Sequence, residues 1–460
     1  MHSRYSPFPD KELSQIAAKD LAELSSVSEG WYVEYKREIP KAKAVAKSIS
    51  AFANTYGGWL FFGVEESSKS DNVAGSCPGI PRAEMDTALQ AIRQSAASHL
   101  NPIPHFDSRV VWGPNVSMGL SKDHGVICIE TRQSAIAPHV HSSGMIYRRI
   151  SDSSEPKAEN DPHQLELLWN RREKIHAEYE RWIEREPELS EGEGNRPYLR
   201  LLLEADLYRA KDQLWDLSID EIKDTLNDTT SGTNLPLENI YPSSLGVVAR
   251  QTSSLNHHEA FGITWIIGRG LQCEIWLPLN VFFVDEPYQL QAHLEKYQNT
   301  ERFIGMLKSS NANTSRILDL NQVLLVLIAT SNMYLNLLAK AGINTKTFHA
   351  KIILNEVWRT IPFVDSETML NRIDKHGLPL CINNVAMLPR GTDADSFCEV
   401  LVNEESQTPD LRGFDCATVL FELTCRALGL QGFLADESDH EVVALYTELF
   451  AAWERSSQAE

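Results

Sequence analysis

At 460 residues the chain is long enough for two or three domains, and its 42% hydrophobic and 23% charged residues are those of a globular protein with real cores. A formal net charge of −20 excludes a uniformly basic nucleic-acid coat, yet residues 1–160 carry 17 Lys and Arg against 18 Asp and Glu, whereas the remaining 300 carry 26 against 45. Seven cysteines without a Cys-x-x-Cys pair argue for reduced thiols and against a zinc or disulfide framework. With no apolar run of transmembrane length and no signal-like start, the chain is read as cytoplasmic, with no membrane partner.

In chain order, Asp10 to Leu24 is predicted as a leading helix, with Leu13, Ile16, Ala17, Leu21 and Leu24 near one face. Trp31 to Lys36 alternates like a strand, placing Tyr32, Glu34 and Lys36 on one face and Trp31, Val33 and Tyr35 on the other. Pro40 opens a predicted helix through Phe52, on which Lys43 and Lys47 share a face. Asn54-Thr55-Tyr56-Gly57-Gly58 breaks it, and Trp59 to Val64 reads as a buried strand that delivers Glu65 and Glu66. Glu29, from the turn before Gly30, then joins Glu34 and Glu66. Carboxylates meeting there repel one another, and a divalent cation would relieve the repulsion.

A second helix is predicted over Arg82 to His99, and strands over Phe106–Trp112, Gly125–Thr131 and Gly144–Ile150. Asp161-Pro162 caps a long helix with an apolar stripe of Leu165, Leu168, Ile175, Tyr179 and Trp182, and the acidic segment from Glu186 to Asn195 marks the best boundary. Beyond it, strands are expected at Tyr198–Ala205, Leu245–Arg250, Phe261–Ile267, Cys273–Leu277, Phe348–Trp358 and Leu378–Ile382. Helices are expected at Ser218–Asn227, Pro287–Lys308, Asn321–Lys340, Cys416–Leu428 and His440–Glu454. The class is α+β, divided as 1–158, a connecting segment 159–197, and a mixed α/β domain 198–460. No fixed-period repeat occurs, and Gly342 to Thr347 lacks the spacing of a phosphate loop.

One set of motifs resembles a known family. Glu29-(x4)-Glu34-Tyr35-Lys36, Ser50-Ala51-Phe52-Ala53-Asn54-Thr55-x-Gly57-Gly58, Phe62-Gly63-Val64-Glu65-Glu66 and Val73-Ala74-Gly75 occur in the order seen in the Schlafen family's AlbA-like domain. Val126 to Glu130, Pro138-His139 and Ile146-Tyr147-Arg148-Arg149 continue the likeness to about residue 158. The resemblance implies that Glu29, Glu34 and Glu66 form a catalytic, metal-binding site of a ribonuclease that cuts transfer RNA. The sequence departs from the family at Glu66, where Asp is usual, and at Ser151, where Gly is usual.

On that reading Glu29, Glu34 and Glu66 hold Mg²⁺ or Mn²⁺, which activates water and neutralises the scissile phosphate. Lys36, Lys43, Lys47, Arg148 and Arg149 are the residues expected at the nucleic-acid backbone. RNA is favoured over DNA, structured RNA first, with an antiviral role guessed from the architecture. A homodimer is expected to supply a second lobe, and the C-terminal region to bind a protein partner or effector. The rival is a non-catalytic nucleic-acid-binding regulator, in which the acids are structural, the lysines are a solvated face, and Arg148 and Arg149 pair with Asp152 or Glu155. His139 and His141 are read as a loop pair, not metal ligands, and His257-His258 carries less still. Trp31, Tyr56 and Trp59 could stack on bases, with core packing the default.

Overall fold

The computed structural model describes residues 5–8, 11, 13–67, 72–150, 155–186, 196–207, 217–228, 235, 237–251, 262–283, 287–312, 316–343, 346–403, 409–430 and 443–451. Most of the acidic linker, Ser151, Asp152 and His257-His258 lie outside them. The fold is α+β. The chain divides into two compact units, one within Met1–Ile183 and the other within Glu184–Leu207 and Leu214–Glu460. The helix after residue 161 thus belongs almost wholly to the first unit.

The first unit opens with two 3-10 segments, Leu13–Gln15 and Ala18–Ser26, in place of the expected leading helix. Asp20 decides this locally: its carboxylate takes the Ala17 amide at 2.8 Å and pairs with Lys11. Then come β1 (Val33–Lys36), α1 (Ala42–Asn54), β2 (Gly58–Phe62), β3 (Glu65–Glu66), β4 (Ala74–Ser76), β5 (Ile80–Pro81) and α2 (Met85–His99). The unit continues through β6 (Leu100–Asn101), β7 (Phe106–Trp112), β8 (His124–Thr131), β9 (Val140–His141), β10 (Tyr147–Arg148), β11 (Lys157–Ala158) and α3 (Pro162–Glu184).

The first unit's main sheet runs β1-β2-β8-β5, with β7 also paired to β8. β1 and β2 are parallel and joined by α1, as parallel neighbours require, and Glu34 stands opposite Leu60. One face buries Val33, Tyr35, Trp59, Phe61 and Cys128 with Leu21 and Leu24. The other buries Leu60, Phe62, Ile127 and Ile129 under Val45, Ile49 and Phe52 of α1 and Ile92 of α2. The turn into β2 admits only glycine. Gly57 has φ +77°, and a Cβ on Gly58 would lie 2.4 Å from the Phe52 ring.

The second unit contains β12 (Tyr198–Glu204), α4 (Ile219–Leu226), β13 (Asn239–Ser243), β14 (Gly246–Arg250), β15 (Thr264–Ile267), β16 (Cys273–Pro278), β17 (Val281–Phe283), α5 (Pro287–Leu294) and α6 (Thr300–Ser309). It goes on through β18 (Arg316–Asp319), α7 (Asn321–Lys340), β19 (Thr347–Asn355), β20 (Thr360–Phe363), α8 (Glu367–His376), β21 (Val385–Leu388), β22 (Cys398–Leu401) and α9 (Pro409–Ala427). Its large sheet runs β13-β14-β15-β16-β12-β19-β21, with β22 also on β19.

Leu199, Leu201, Leu203, Ile275, Ile352 and Leu354 face a core shared with α7 and α9. α7 and α9 approach closely because α9 places Gly413 against Asn332, where a Cβ would lie 1.8 Å from Oδ1. The other face of the sheet is polar. Arg200, Glu204, Glu274 and Lys351 are all buried there. Lys351 donates to the carbonyls of Pro389 and Ser396, and burial lowers its pKa to about 8.

Two expectations fail in this unit. Pro287–Lys308 is two helices, because Asp365 takes the amides of Gln298 and Asn299 and holds the break between them. Leu378–Ile382 is not a strand; the strand pairing there is Val385–Leu388. α7 is the one described helix long and apolar enough to cross a membrane, and most of its length lies in the core. Six cysteines are buried, Cys398 is half-buried, and none of the seven forms a disulfide.

Candidate nucleic-acid interface and acid pocket

Glu34 sits on the α1 face of β1, where neighbours are apolar, and is 2% exposed. A carboxylate buried there needs partners on both oxygens. Ser48 of α1 donates to Oε1 at 2.9 Å, and Lys36 Nζ lies 3.0 Å from the same atom. Arg149 Nη1 donates to Oε2 at 3.0 Å. Lys36 and Glu34 share a strand face, as the alternation predicts.

Arg149 is the organising side chain, and it is fully buried. Its Nε donates to the Gly30 carbonyl at 2.9 Å, Nη2 donates to Gly30 and Val33 carbonyls, and its backbone N–H donates to Thr55 Oγ1 at 2.9 Å. The guanidinium also lies over the Phe52 ring at 4.8 Å. It therefore ties the turn before β1 to the end of α1. Burial lowers its pKa, and Glu34 and Glu29 oppose that shift.

Glu29 is 6% exposed. β1 is the edge of its sheet, so the Tyr35 amide points away from β2, and Glu29 Oε1 accepts it. Burial raises the carboxyl to about 7; the Tyr35 amide and Lys36 oppose the shift, and the charges of Glu66 and Glu34 add to it. Glu66 is half-buried on β3, which pairs with β4 through a register shift. Next to it, Glu65 takes Arg37 at 2.9 Å.

The structure brings the three predicted acids into one another's field without assembling a ligand set. Among the described residues, no group of three or more His, Cys, Asp or Glu side chains is placed to hold a metal ion. The physical reason is that Arg149, Ser48 and Lys36 already serve both oxygens of Glu34, while one oxygen of Glu29 closes the sheet edge. The pocket as arranged does not fit Mg²⁺ or Mn²⁺.

The basic residues divide. Lys43 is exposed and Lys47 half-buried on α1, with Lys47 Nζ over the Tyr147 ring at 5.1 Å. His141 Nε2 meets the Lys43 carbonyl at 3.2 Å. Burial lowers the His141 pKa despite that contact, and His99, Lys43 and Lys47 push it the same way. Arg148 and Arg149 leave the predicted backbone set. Arg148 is held by Glu159 at 2.6 Å and Gln164 at 3.0 Å, and Arg149 is sealed inside. Asp152, one of the pairing partners expected for these arginines, lies outside the described residues.

Sequence reasoning missed Ser48 and the clasp role of Arg149. Ser48 follows Lys47 on α1 and is one of three buried polar residues there, with Ser50 and Asn54, so the sequence offered a hydroxyl but no way to single it out. His139 and His141 do not act together. His139 is buried, its backbone N–H donates to Asn54 Oδ1 at 2.8 Å, its Nδ1 meets the Pro102 carbonyl at 2.7 Å, and burial lowers its pKa to about 4.

Residues 29–158 match the family model described as Schlafen, AlbA_2, so the N-terminal unit carries a Schlafen AlbA_2 domain. No curated protein matches the chain. A crystal structure of the DIP2311 protein from Corynebacterium diphtheriae is 18% identical over 33% of this chain and 31% of its own, with a TM-score of 0.22.

Proposed function

We propose that the N-terminal unit binds nucleic acid through the phosphate backbone, along the face carrying Lys36, Lys43 and Lys47. One observation carries this reading. In a chain with net charge −20, Lys43 and Lys47 have no ion-pair partner among the described residues, and they stand beside each other next to His141 and Tyr147. Lysines left unpaired in an acidic protein are placed for an outside anion. Lys36 extends the strip toward the acid pocket. Affinity for a short labelled RNA, measured by anisotropy across a salt series, tests the reading. Tight binding at low salt with a steep loss at high salt is expected, and salt-independent or absent binding would overturn it.

A second reading, endonucleolytic cleavage of structured RNA such as transfer RNA, is favoured by Glu29. A carboxyl with a pKa of about 7 is half-protonated at neutral pH, so it can accept or give a proton beside a bound backbone. No step is routed through a divalent ion, because Glu34 is already paired. Such an activity joined to a second unit fits a defence effector, with a partner or effector at the C-terminal unit and a second copy of the chain supplying another lobe. Bulk transfer RNA incubated with Mn²⁺, with and without EDTA, beside Glu29→Gln and Glu34→Ala, separates the readings. Cleavage lost in Glu29→Gln supports the enzyme. Binding without cleavage under every metal supports a regulator.

A further inference from the structure

Four aromatic rings crowd the outer side of the turn that Arg149 holds. Tyr5 and Tyr32 stack with centroids 4.7 Å apart and planes 19° apart. Tyr56 lies 6.3 Å from Tyr32 and 5.7 Å from Trp31, tilted to both. They are not core. Tyr56 is 49% exposed and Tyr5 38%, whereas Trp59, two residues beyond Gly57, is 2% exposed and packs on Phe61.

Their position ties them to the lysine strip. Thr55, whose hydroxyl accepts the Arg149 amide, precedes Tyr56; Gly30, whose carbonyl accepts the Arg149 guanidinium, precedes Trp31. The same guanidinium holds Glu34, and Glu34 holds Lys36 and Ser48. One buried arginine thus bonds the residues that precede Tyr56 and Trp31 and, through Glu34, reaches Lys36. Lysines track phosphates, and exposed rings offer faces to bases. A duplex keeps its bases stacked on one another and presents only their edges, so a ring face at the surface suits bases that are already unpaired.

Resting on the backbone-binding reading, we propose that Trp31 and Tyr56 form a stacking platform for unpaired bases, so that the unit selects single-stranded or looped nucleic acid over duplex. Tyr32 and Tyr5 brace the platform from behind by stacking on each other. The lysines set how tightly any backbone binds, and the rings set which backbones are preferred.

The test uses the full chain and three labelled probes: a single strand of about 12 nucleotides, which is within the span of one small binding domain, an abasic strand of the same length, and a blunt duplex. Anisotropy is read for the natural protein, Trp31→Ala, Tyr56→Ala and the conservative Tyr56→Phe. The base-bearing strand is expected to bind roughly tenfold tighter than the abasic strand, and each alanine variant to lose about that factor on the base-bearing strand alone. Tyr56→Phe, which keeps a ring, should bind like the natural protein. Unchanged abasic affinity in every variant reports an intact fold. Equal affinity of the natural protein for base-bearing and abasic strands overturns the platform and leaves the backbone reading standing. So does an equal loss on both probes in the variants. Failure of all three probes to bind at low salt overturns the backbone reading, and the platform with it.

Discussion

Glu34 in the first unit and Glu274 in the second are both carboxylates buried against arginine, yet their surroundings differ in sign. Arg200 donates to Glu274 through Nε at 3.0 Å and Nη2 at 2.9 Å, Arg185 reaches its other oxygen, and Trp276 Nε1 donates as well. One acid there meets two guanidinium groups. In the first unit Arg149 faces two acids, Glu34 and Glu29, and Glu29 also feels Glu66 and Lys36. Burial falls hardest on Glu29: it raises the carboxyl to about 7, the Tyr35 amide and Lys36 offset only part of that, and the charges of Glu66 and Glu34 add to it. A fully compensated buried charge holds a fold in place; an under-compensated one keeps a titratable proton. The difference is between a carboxylate matched by guanidinium groups and one that holds its proton to near neutral pH.

Removing the cation from each pocket gives the largest effect. Arg149→Ala leaves Glu34 buried with only Ser48 and Lys36, and should destabilise the first unit by about 3–5 kcal/mol in urea unfolding. Arg149→Lys should recover little, since an ammonium cannot reach Glu34 and the Gly30 and Val33 carbonyls in one planar fork. The two pockets then part company. Three acids without their arginine would attract a divalent ion, so added Mn²⁺ should restore part of the loss in Arg149→Ala and none in Arg200→Ala. Equal rescue of both variants would erase the distinction between them.

Next in size is the pH dependence set by Glu29. Its pKa in the folded protein, about 7, exceeds the ordinary value of 4.5, so the native state holds a proton that the unfolded chain releases. This contribution is fully present below about pH 4.5, declines as pH rises toward 7, and is gone above. The full difference corresponds to about 3 kcal/mol. Glu29→Gln keeps a neutral acceptor for the Tyr35 amide and should flatten the decline. Urea midpoints at pH 5 and pH 8 read it directly. Parallel pH curves for the two proteins would mean that Glu29 titrates normally and the pocket is compensated after all.

Local rules made much of the first unit legible. Alternation over Trp31 to Lys36 put Glu34 and Lys36 on one face, and the Gly57-Gly58 turn and the strand after it followed from glycine and apolar run alone. The second unit's Ser218 capping box was readable for the same reason: Glu221 is three residues away, and the two bond reciprocally. What failed needed distant partners. Arg149 looked like a backbone contact because nothing near it in sequence says that Gly30 and Glu34 will enclose it. The break between α5 and α6 depends on Asp365, more than sixty residues away. In the second unit β13, β17, β18, β20, β22 and α8 were not foreseen, because such short elements depend on pairing and packing with distant segments.

Smaller effects concern affinity. Lys43→Ala and Lys47→Ala should each weaken RNA binding uniformly across sequences and flatten the log–log salt slope by about one. The double variant should show close to twice the change if, as proposed, each lysine meets its own phosphate. Lys36→Ala should differ, because its Nζ also serves Glu34 at 3.0 Å, and a loss of stability would accompany the loss of affinity. If all three variants gave the same profile, Lys36 would belong to the strip alone and the link to the acid pocket would be lost.

Arg37 is the control, with the smallest expected change. It lies next to Lys36 and pairs with Glu65 at 2.9 Å, but the two side chains are 60% and 45% exposed. An ion pair open to water contributes about 0–1 kcal/mol and fades with salt. Its charge is already matched by Glu65, unlike those of Lys43 and Lys47. Arg37→Ala should therefore shift the urea midpoint barely at all and leave the RNA salt slope unchanged. A slope that flattened as much as in Lys43→Ala would show that pairing with a carboxylate does not withdraw a cation from the backbone. Unpaired charge would then cease to be the feature that locates the binding face.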